Sequence, residues 1–187
     1  MVFVRIKRIS GKEYCYLVAN SWTGSGPRQK VAKYLGRLIR PEKAKSEPLA
    51  QFLGLTGEPA MTEWVKKSSF KEIAAALMKW ELNNHNIAES SDYRISAEKA
   101  EFLDGKGKPV AIALNDGFLC SHTAKKLLEY DPSTDYSGYN LADALTAAGV
   151  AVEKDVFISL FGKAQSATAG KGRQDAAEKE AFKDFYY

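Results

Sequence analysis

The sequence predicts an α+β fold: a small basic antiparallel sheet of three strands, followed by a mainly helical body carrying one short hairpin. Three observations lead there. Residues 2–35 alternate apolar and polar side chains with period two and are rich in Val, Ile and Tyr. Beyond residue 69, Phe70, Ile73, Leu77 and Trp80 recur at helical spacing. Asn115-Asp116-Gly117 separates two short apolar runs, the signature of a tight hairpin.

The first strand runs from Val2 to Ile9, and Ser10-Gly11 turns the chain into a second, Glu13 to Ala19. A longer loop is predicted over Asn20–Pro27, which holds Gly24, Gly26 and Pro27. The third strand follows, Arg28 to Leu35, with Gly36 as its stop. Residues 1–45 thus form a basic β-rich module, and 46–59 a Pro/Gly-rich connector whose island Leu49, Phe52, Leu53 and Leu55 should dock on the remainder.

Residues 60–162 make up the body. Ser69-Phe-Lys-Glu72 is a capping box that opens the main core helix, with Asn83-Asn84 at its end. Ser96 marks the start of a second, short helix reaching Asp104-Gly105. Val110–Leu114 and Phe118–Cys120 are the hairpin strands. Three short helices are predicted after it: Thr123–Tyr130, Leu141–Ala148 between Asn140 and Gly149, and Glu153–Phe161 stopped by Gly162. Residues 163–187 read as a flexible Gly/Ala/Ser/Lys linker and a charged tail ending in aromatics.

Composition narrows the class. Hydrophobic residues make up 45% and charged ones 27%, ordinary for a folded domain. No run approaches the roughly 18–20 apolar residues of a membrane span. Arg5, Lys7 and Arg8 break the opening apolar run, so no secretory signal is expected and a cytoplasmic chain is. With only Cys15 and Cys120, no disulfide framework is expected. Cys15, His85, Cys120 and His122 do not show zinc-ligand spacing, and Cys120 reads as a buried thiol beside a polar residue at a helix start. No cofactor is expected.

The net charge of +4 hides an asymmetry. Residues 1–45 hold eleven Lys or Arg against Glu13 and Glu42, hence +9; the remaining sixteen basic and twenty-one acidic residues leave −5. Such a split points to a nucleic-acid backbone or an anionic surface. Straight alternation puts Val4, Ile6, Cys15, Leu17, Val31 and Leu35 on a buried face. The outer face is then Arg5, Lys7, Tyr14, Tyr16, Arg28, Lys30 and Tyr34. Cations neutralise phosphates and tyrosines stack on bases or bond phosphates. With Arg8, Lys12, Lys33 and Arg37, this is the expected nucleic-acid-binding set. Edge strands also carry cations simply to block aggregation, and Tyr suits any strand. The density of charge with rings interleaved favours the binding role.

Residues 4–38, VRIKRISGKEYCYLVANSWTGSGPRQKVAKYLGRL, add a resemblance. Tyr14-Cys15-Tyr16-Leu17-Val18, Arg28-Gln29 and Tyr34-Leu35-Gly36-Arg37-Leu38 resemble the basic strand, YYYLV-type strand and RQ…LG.L run that open insertion-sequence transposases with an RNase H-like catalytic domain. The similarity covers under a fifth of the chain and implies DNA contact. It departs from that pattern in the Gly/Ser-rich stretch Ser21–Pro27, and no carboxylate triad can be placed in residues 46–187. Strand cleavage is therefore not carried over.

No enzyme class is expected. Asn115-Asp116-Gly117 is better explained as a turn than as an active site. Leu141–Gly149 with Glu153–Phe161 has the outline of a helix-turn-helix, but Glu153 and Asp155 at the start of its second helix would repel phosphate. Leu145, Val152, Val156, Phe157 and Leu160 are better read as packing. Gly105-Lys106-Gly107-Lys108 and Gly170-Lys171-Gly172-Arg173 are too short for a phosphate-binding loop of the Gly-x₄-Gly-Lys type, though the second reads as an extra phosphate contact. The expected function is sequence-tolerant duplex DNA binding in a regulatory or chromatin-associated role, with RNA or ribosome association as the alternative. A protein adaptor is a third reading, its contacts supplied by the Trp22 loop or by Phe182, Phe185, Tyr186 and Tyr187.

Overall fold

A computed structural model describes residues 2–24, 26–87, 92–135 and 137–166, the Glu58 side chain excepted. The order of elements is β1 (Val2–Ile9), β2 (Lys12–Thr23), β3 (Gly26–Ile39), α1 (Leu49–Phe52), α2 (Glu58–Lys67), α3 (Phe70–Asn84), β4 (Tyr93–Ser96), β5 (Glu101–Asp104), β6 (Val110–Leu114), β7 (Gly117–Cys120), α4 (Ser121–Leu128) and α5 (Tyr139–Ala148). Residues 154–166 form a last helix, α6. The fold is α+β, with a three-stranded antiparallel sheet at its start and helices after it.

That sheet does not stop at three strands. β3 pairs in parallel with β6, giving one five-stranded sheet in the order β1-β2-β3-β6-β7, while β4 and β5 form a separate hairpin. Gly36 makes the junction. It was expected to end β3, yet it lies within the strand at φ +136, and a Cβ there would fall 2.6 Å from the Pro109 carbonyl and the Val110 Cα. Only a residue without a side chain admits this approach. Arg37 N–H donates to the Pro109 carbonyl at 3.1 Å beside it.

The sheet has apolar residues on both faces. Val110, Ile112, Leu114 and Leu119 join the main core with α3, α5 and α6. Cys15, Leu35, Leu38, Ala111 and Cys120 form a second cluster on the other side, with Val4, Ile6, Leu17, Ala113 and Phe118 around it. All of these residues belong to the five strands, so the sheet curls upon its own second face.

The body is held by local signals and a few long reaches. Ser69 and Glu72 form the expected reciprocal cap of α3, with bonds of 3.2 and 2.6 Å. The connector is tied to α3: the Trp80 indole donates to the Glu47 carbonyl at 2.6 Å, and Leu49 is fully buried with Phe52 and Leu53 beside it. The Lys163 ammonium of α6 donates to the Val65 and Lys66 carbonyls at 2.7 and 2.9 Å and also to that of Ser68, satisfying the C-terminal carbonyls of α2.

Several sequence-based boundaries change. Asn20–Pro27 is not a loop; β2 and β3 continue through it as a paired ribbon to Thr23 and Gly26. The helix expected after Ser96 is a hairpin, β4 turning into β5. Ser96 does accept the Lys99 N–H, as a cap would, but Ala100 adopts φ +52 and the chain reverses. Gly162 does not stop α6, which continues to residue 166. The Gly170–Arg173 run and the aromatic tail with Phe182, Phe185, Tyr186 and Tyr187 lie outside the described residues. No helix among those described is long and apolar enough to cross a membrane.

Candidate nucleic-acid interface

Strand register decides which of the basic residues act together. β1 and β2 pair Arg5 with Tyr16, Lys7 with Tyr14 and Ile9 with Lys12, so these side chains share one face. β2 and β3 pair Tyr14 with Arg37 and Tyr16 with Tyr34, which extends that face. Arg5, Lys7, Tyr14, Tyr16 and Tyr34 are therefore gathered as the sequence suggested, and Lys12 and Arg37 join them on that face.

Arg28 and Lys30 are not. The β2–β3 register slips at Cys15/Tyr16 and again at Leu17/Val18, leaving Leu35 and then Ala32 as extra residues in β3. Each bulge exchanges the faces of the residues beyond it. Lys30 and Arg28 consequently pair with Ala19 and Ser21, on the face that carries Leu17. Lys33 pairs with Leu17 and Arg8 with Glu13, so they share that second face. Val31, expected in the core, pairs with Val18 on the tyrosine face and is 44% exposed. Straight alternation could not foresee this, because a bulge is fixed by the partner strand.

The tyrosines form a compact array. Tyr16 and Tyr34 ring centroids are 5.3 Å apart at 50°, and Tyr14 and Tyr34 are 6.4 Å apart at 43°. Lys7 Nζ sits 5.2 Å from the Tyr16 ring, holding its charge over an aromatic face. Burial, then the neighbouring Tyr16 and Tyr14, push the Tyr34 phenol above its ordinary pKa. It stays a neutral donor at physiological pH. Arg5 donates to the Gln29 side chain across β2, at the level of Val18, which is buried.

Next to this array the sheet and the body enclose a cleft of about 830 Å³. Lys12, Tyr14, Tyr34 and Arg37 line the sheet side; Asp92, Tyr93, Asp104, Lys106 and Lys108 line the other. Asp104 organises the β5–β6 turn, its Oδ1 accepting the Lys106 and Lys108 N–H groups at 2.9 and 2.8 Å. The Lys108 backbone bond, followed by that of Lys106 and the charges of both lysines, outweighs burial and lowers the Asp104 pKa. The turn is thus fixed with two ammonium groups at the cleft. Lys12, Arg37, Lys106 and Lys108 bring four cations to a cleft lined by two carboxylates, Asp92 and Asp104. Arg40 is engaged by Glu13 at 2.7 Å, and that bond, with the Arg40 and Arg8 charges, lowers the Glu13 pKa against the opposing effect of burial.

Lys106, Lys108 and Tyr93 are the site residues that sequence reasoning missed. The signal was visible as Gly105-Lys106-Gly107-Lys108, set aside because it is no phosphate-binding loop by itself. It matters because β3–β6 pairing brings it beside Arg37.

The thiols take no part. Burial, with Cys120 nearby, pushes Cys15 up to about 11, so it remains a thiol at neutral pH. His122, near the start of α4, is lowered by burial and by the Lys33 and Lys126 charges, hence neutral. Asn115-Asp116-Gly117 is a hairpin turn: Asn115 donates to Glu81 Oε1 at 2.7 Å and to the Gly149 carbonyl at 2.8 Å. Leu145, Val156 and Leu160 are buried in the main core with Val152 and Phe157 against it, the packing role expected of that helix pair. Among the described residues no group of three or more His, Cys, Asp or Glu is gathered as a metal would require.

No protein-family model matches the chain, and no curated protein or solved structure matches it. Function is therefore read from the chemistry of the site itself.

Proposed function

We propose that the protein binds nucleic acid through the tyrosine-bearing face of β1–β3 and the adjoining cleft, making mainly phosphate contacts to duplex DNA in a regulatory or chromatin-associated role. The observation that carries this reading is the convergence of Lys12, Arg37, Lys106 and Lys108 on one cleft with Tyr14 and Tyr34. Four cations against the two carboxylates Asp92 and Asp104 leave the cleft net positive, which favours a polyanion, whose condensed counterions are released on binding. Arg5 and Lys7 extend the track along β1. None of these contacts reads a base edge, so binding tolerates sequence. The N-terminal resemblance to transposases points the same way, toward DNA contact without strand cleavage.

The second reading is a single-stranded RNA segment, favoured by the accessible rings of Tyr14 and Tyr34 at the cleft, on which splayed bases can stack. Titration of fluorescent duplex DNA and single-stranded RNA at four salt concentrations tests both. Duplex binding should weaken with a log–log slope of about −0.9 per phosphate neutralised. Affinity that is flat with salt, or absent for both, overturns the proposal. Tighter RNA binding selects the second reading.

A further inference from the structure

Beyond Ala19, among the described residues, β2 and β3 continue as a ribbon of two strands without a partner from β1. Val2 pairs with Ala19, and Asn20–Thr23 then pair only with Gly26–Gln29. Every described side chain of residues 20–24 and 27–34 is exposed. At the far end Trp22, paired with Pro27, is 84% exposed. The other two tryptophans are packed: Trp80 is in the core and Trp64 lies against it. An indole held open at the tip of a projecting ribbon is available to a partner, with a large apolar face and one N–H donor.

Charge says which partner. The ribbon from Asn20 to Lys33 carries Arg28, Lys30 and Lys33 and no acidic residue. The bulge at Ala32 puts these cations on the face opposite Trp22. A β-ribbon fits the major groove, about 12 Å wide, and apolar side chains can enter between base steps. With rings toward the bases and cations toward a phosphate wall, both faces of the ribbon are used.

We infer that the β2–β3 ribbon is a nucleic-acid-binding arm whose Trp22 stacks on a base, with Arg28 and Lys30 bonding phosphate at its flank. This rests on the proposed function and adds a second contact some distance from the cleft. It also assigns Arg28 and Lys30 a place apart from the tyrosine face.

The test uses the full chain, a 20-base-pair duplex and the matching single strand. Iodide quenching of tryptophan fluorescence reports Trp22, and subtracting the spectrum of Trp22→Phe isolates it. Saturation with nucleic acid should protect Trp22 from iodide. Trp22→Ala should weaken binding about five- to 150-fold, the range expected when one base loses its stacking partner, without changing the salt slope. Trp22→Phe should recover most of that affinity. Trp22 still open to iodide in the saturated complex, with Trp22→Ala binding like the parent, overturns the arm while leaving the proposed function standing. Protection that grows with protein concentration alone, or with anionic vesicles only, also overturns it in favour of a second copy or a lipid surface. Absence of any nucleic-acid binding overturns both.

Discussion

Tyr16 and Tyr34 face each other across β2 and β3, ring centroids 5.3 Å apart, between the two positions where the register of that strand pair slips. Their contact and the separation of Arg28 and Lys30 from it have the same cause. Leu35 on one side and Ala32 on the other are inserted residues, so Tyr34 keeps the face of Tyr16 while the cations beyond it move to the other.

If the cleft carries phosphate, Lys106→Glu with Lys108→Glu should weaken duplex binding and make the salt slope shallower by roughly one for each phosphate that is no longer neutralised. Both side chains are exposed and the substitution keeps the backbone N–H groups that Asp104 accepts, so the melting temperature should fall only slightly, from the lost attraction to Asp104. A salt-series titration beside a thermal melt checks this. An unchanged slope would place the β5–β6 turn off the nucleic-acid path.

Gly36→Ala should destabilise by roughly 3 kcal/mol or more, because the new Cβ would meet backbone at 2.6 Å and the φ of +136 disfavours any side chain. Nothing flexible can give way there. Denaturant unfolding followed by circular dichroism measures the effect, and a silent substitution would show that β3 and β6 can part cheaply.

Asp135 makes stability depend on pH. Burial alone would raise its pKa, but the N–H groups of Leu141, Asn140 and Gly138 and the Tyr130 hydroxyl outweigh burial and hold it below the usual aspartate value. A carboxyl depressed in the folded state contributes stability above the unfolded pKa, and that stability is lost as pH falls through the folded value. Asp135→Ala removes the acceptor of Leu141 N–H at 3.0 Å and of Tyr130 Oη at 3.1 Å. The variant should unfold about 2–3 kcal/mol more easily at pH 7. Its deficit should shrink in acid, which an unfolding series from pH 7 downward would reveal.

Lys163→Met should cost about 1–2 kcal/mol, since it keeps the aliphatic stem but withdraws the ammonium from the end of α2. A thermal melt measures it. No change would mean that water serves those carbonyls equally well.

What could be read in advance was local. The Ser10-Gly11 turn, the Ser69–Glu72 cap and the Asn115–Gly117 turn each depend on a few adjacent residues, and each stands where the sequence put it. Ser96 shows the limit of such signals, since the same hydroxyl-to-backbone bond serves a cap or a reverse turn. The face of Arg5, Lys7, Tyr14 and Tyr16 was legible because β1 and β2 pair without slips. The faces of Arg28, Lys30 and Val31 depend on bulges, which are a property of two strands together. Lys106 and Lys108 reach the site only through a pairing between segments about seventy residues apart, and no local pattern encodes it.

That pairing also sets an order of events during synthesis. Arg37–Ile39 leave the ribosome long before Val110–Ile112, their partners in the sheet. At roughly 5–20 residues per second the interval is on the order of 4–14 s. Throughout it, one side of β3 presents unpaired N–H and C=O groups around Leu38, a template for another nascent chain. Arg37 stands at that edge as a charge that discourages self-association. A chain terminated before Val110 would keep the edge open permanently and should aggregate, so full-length translation itself protects the sheet.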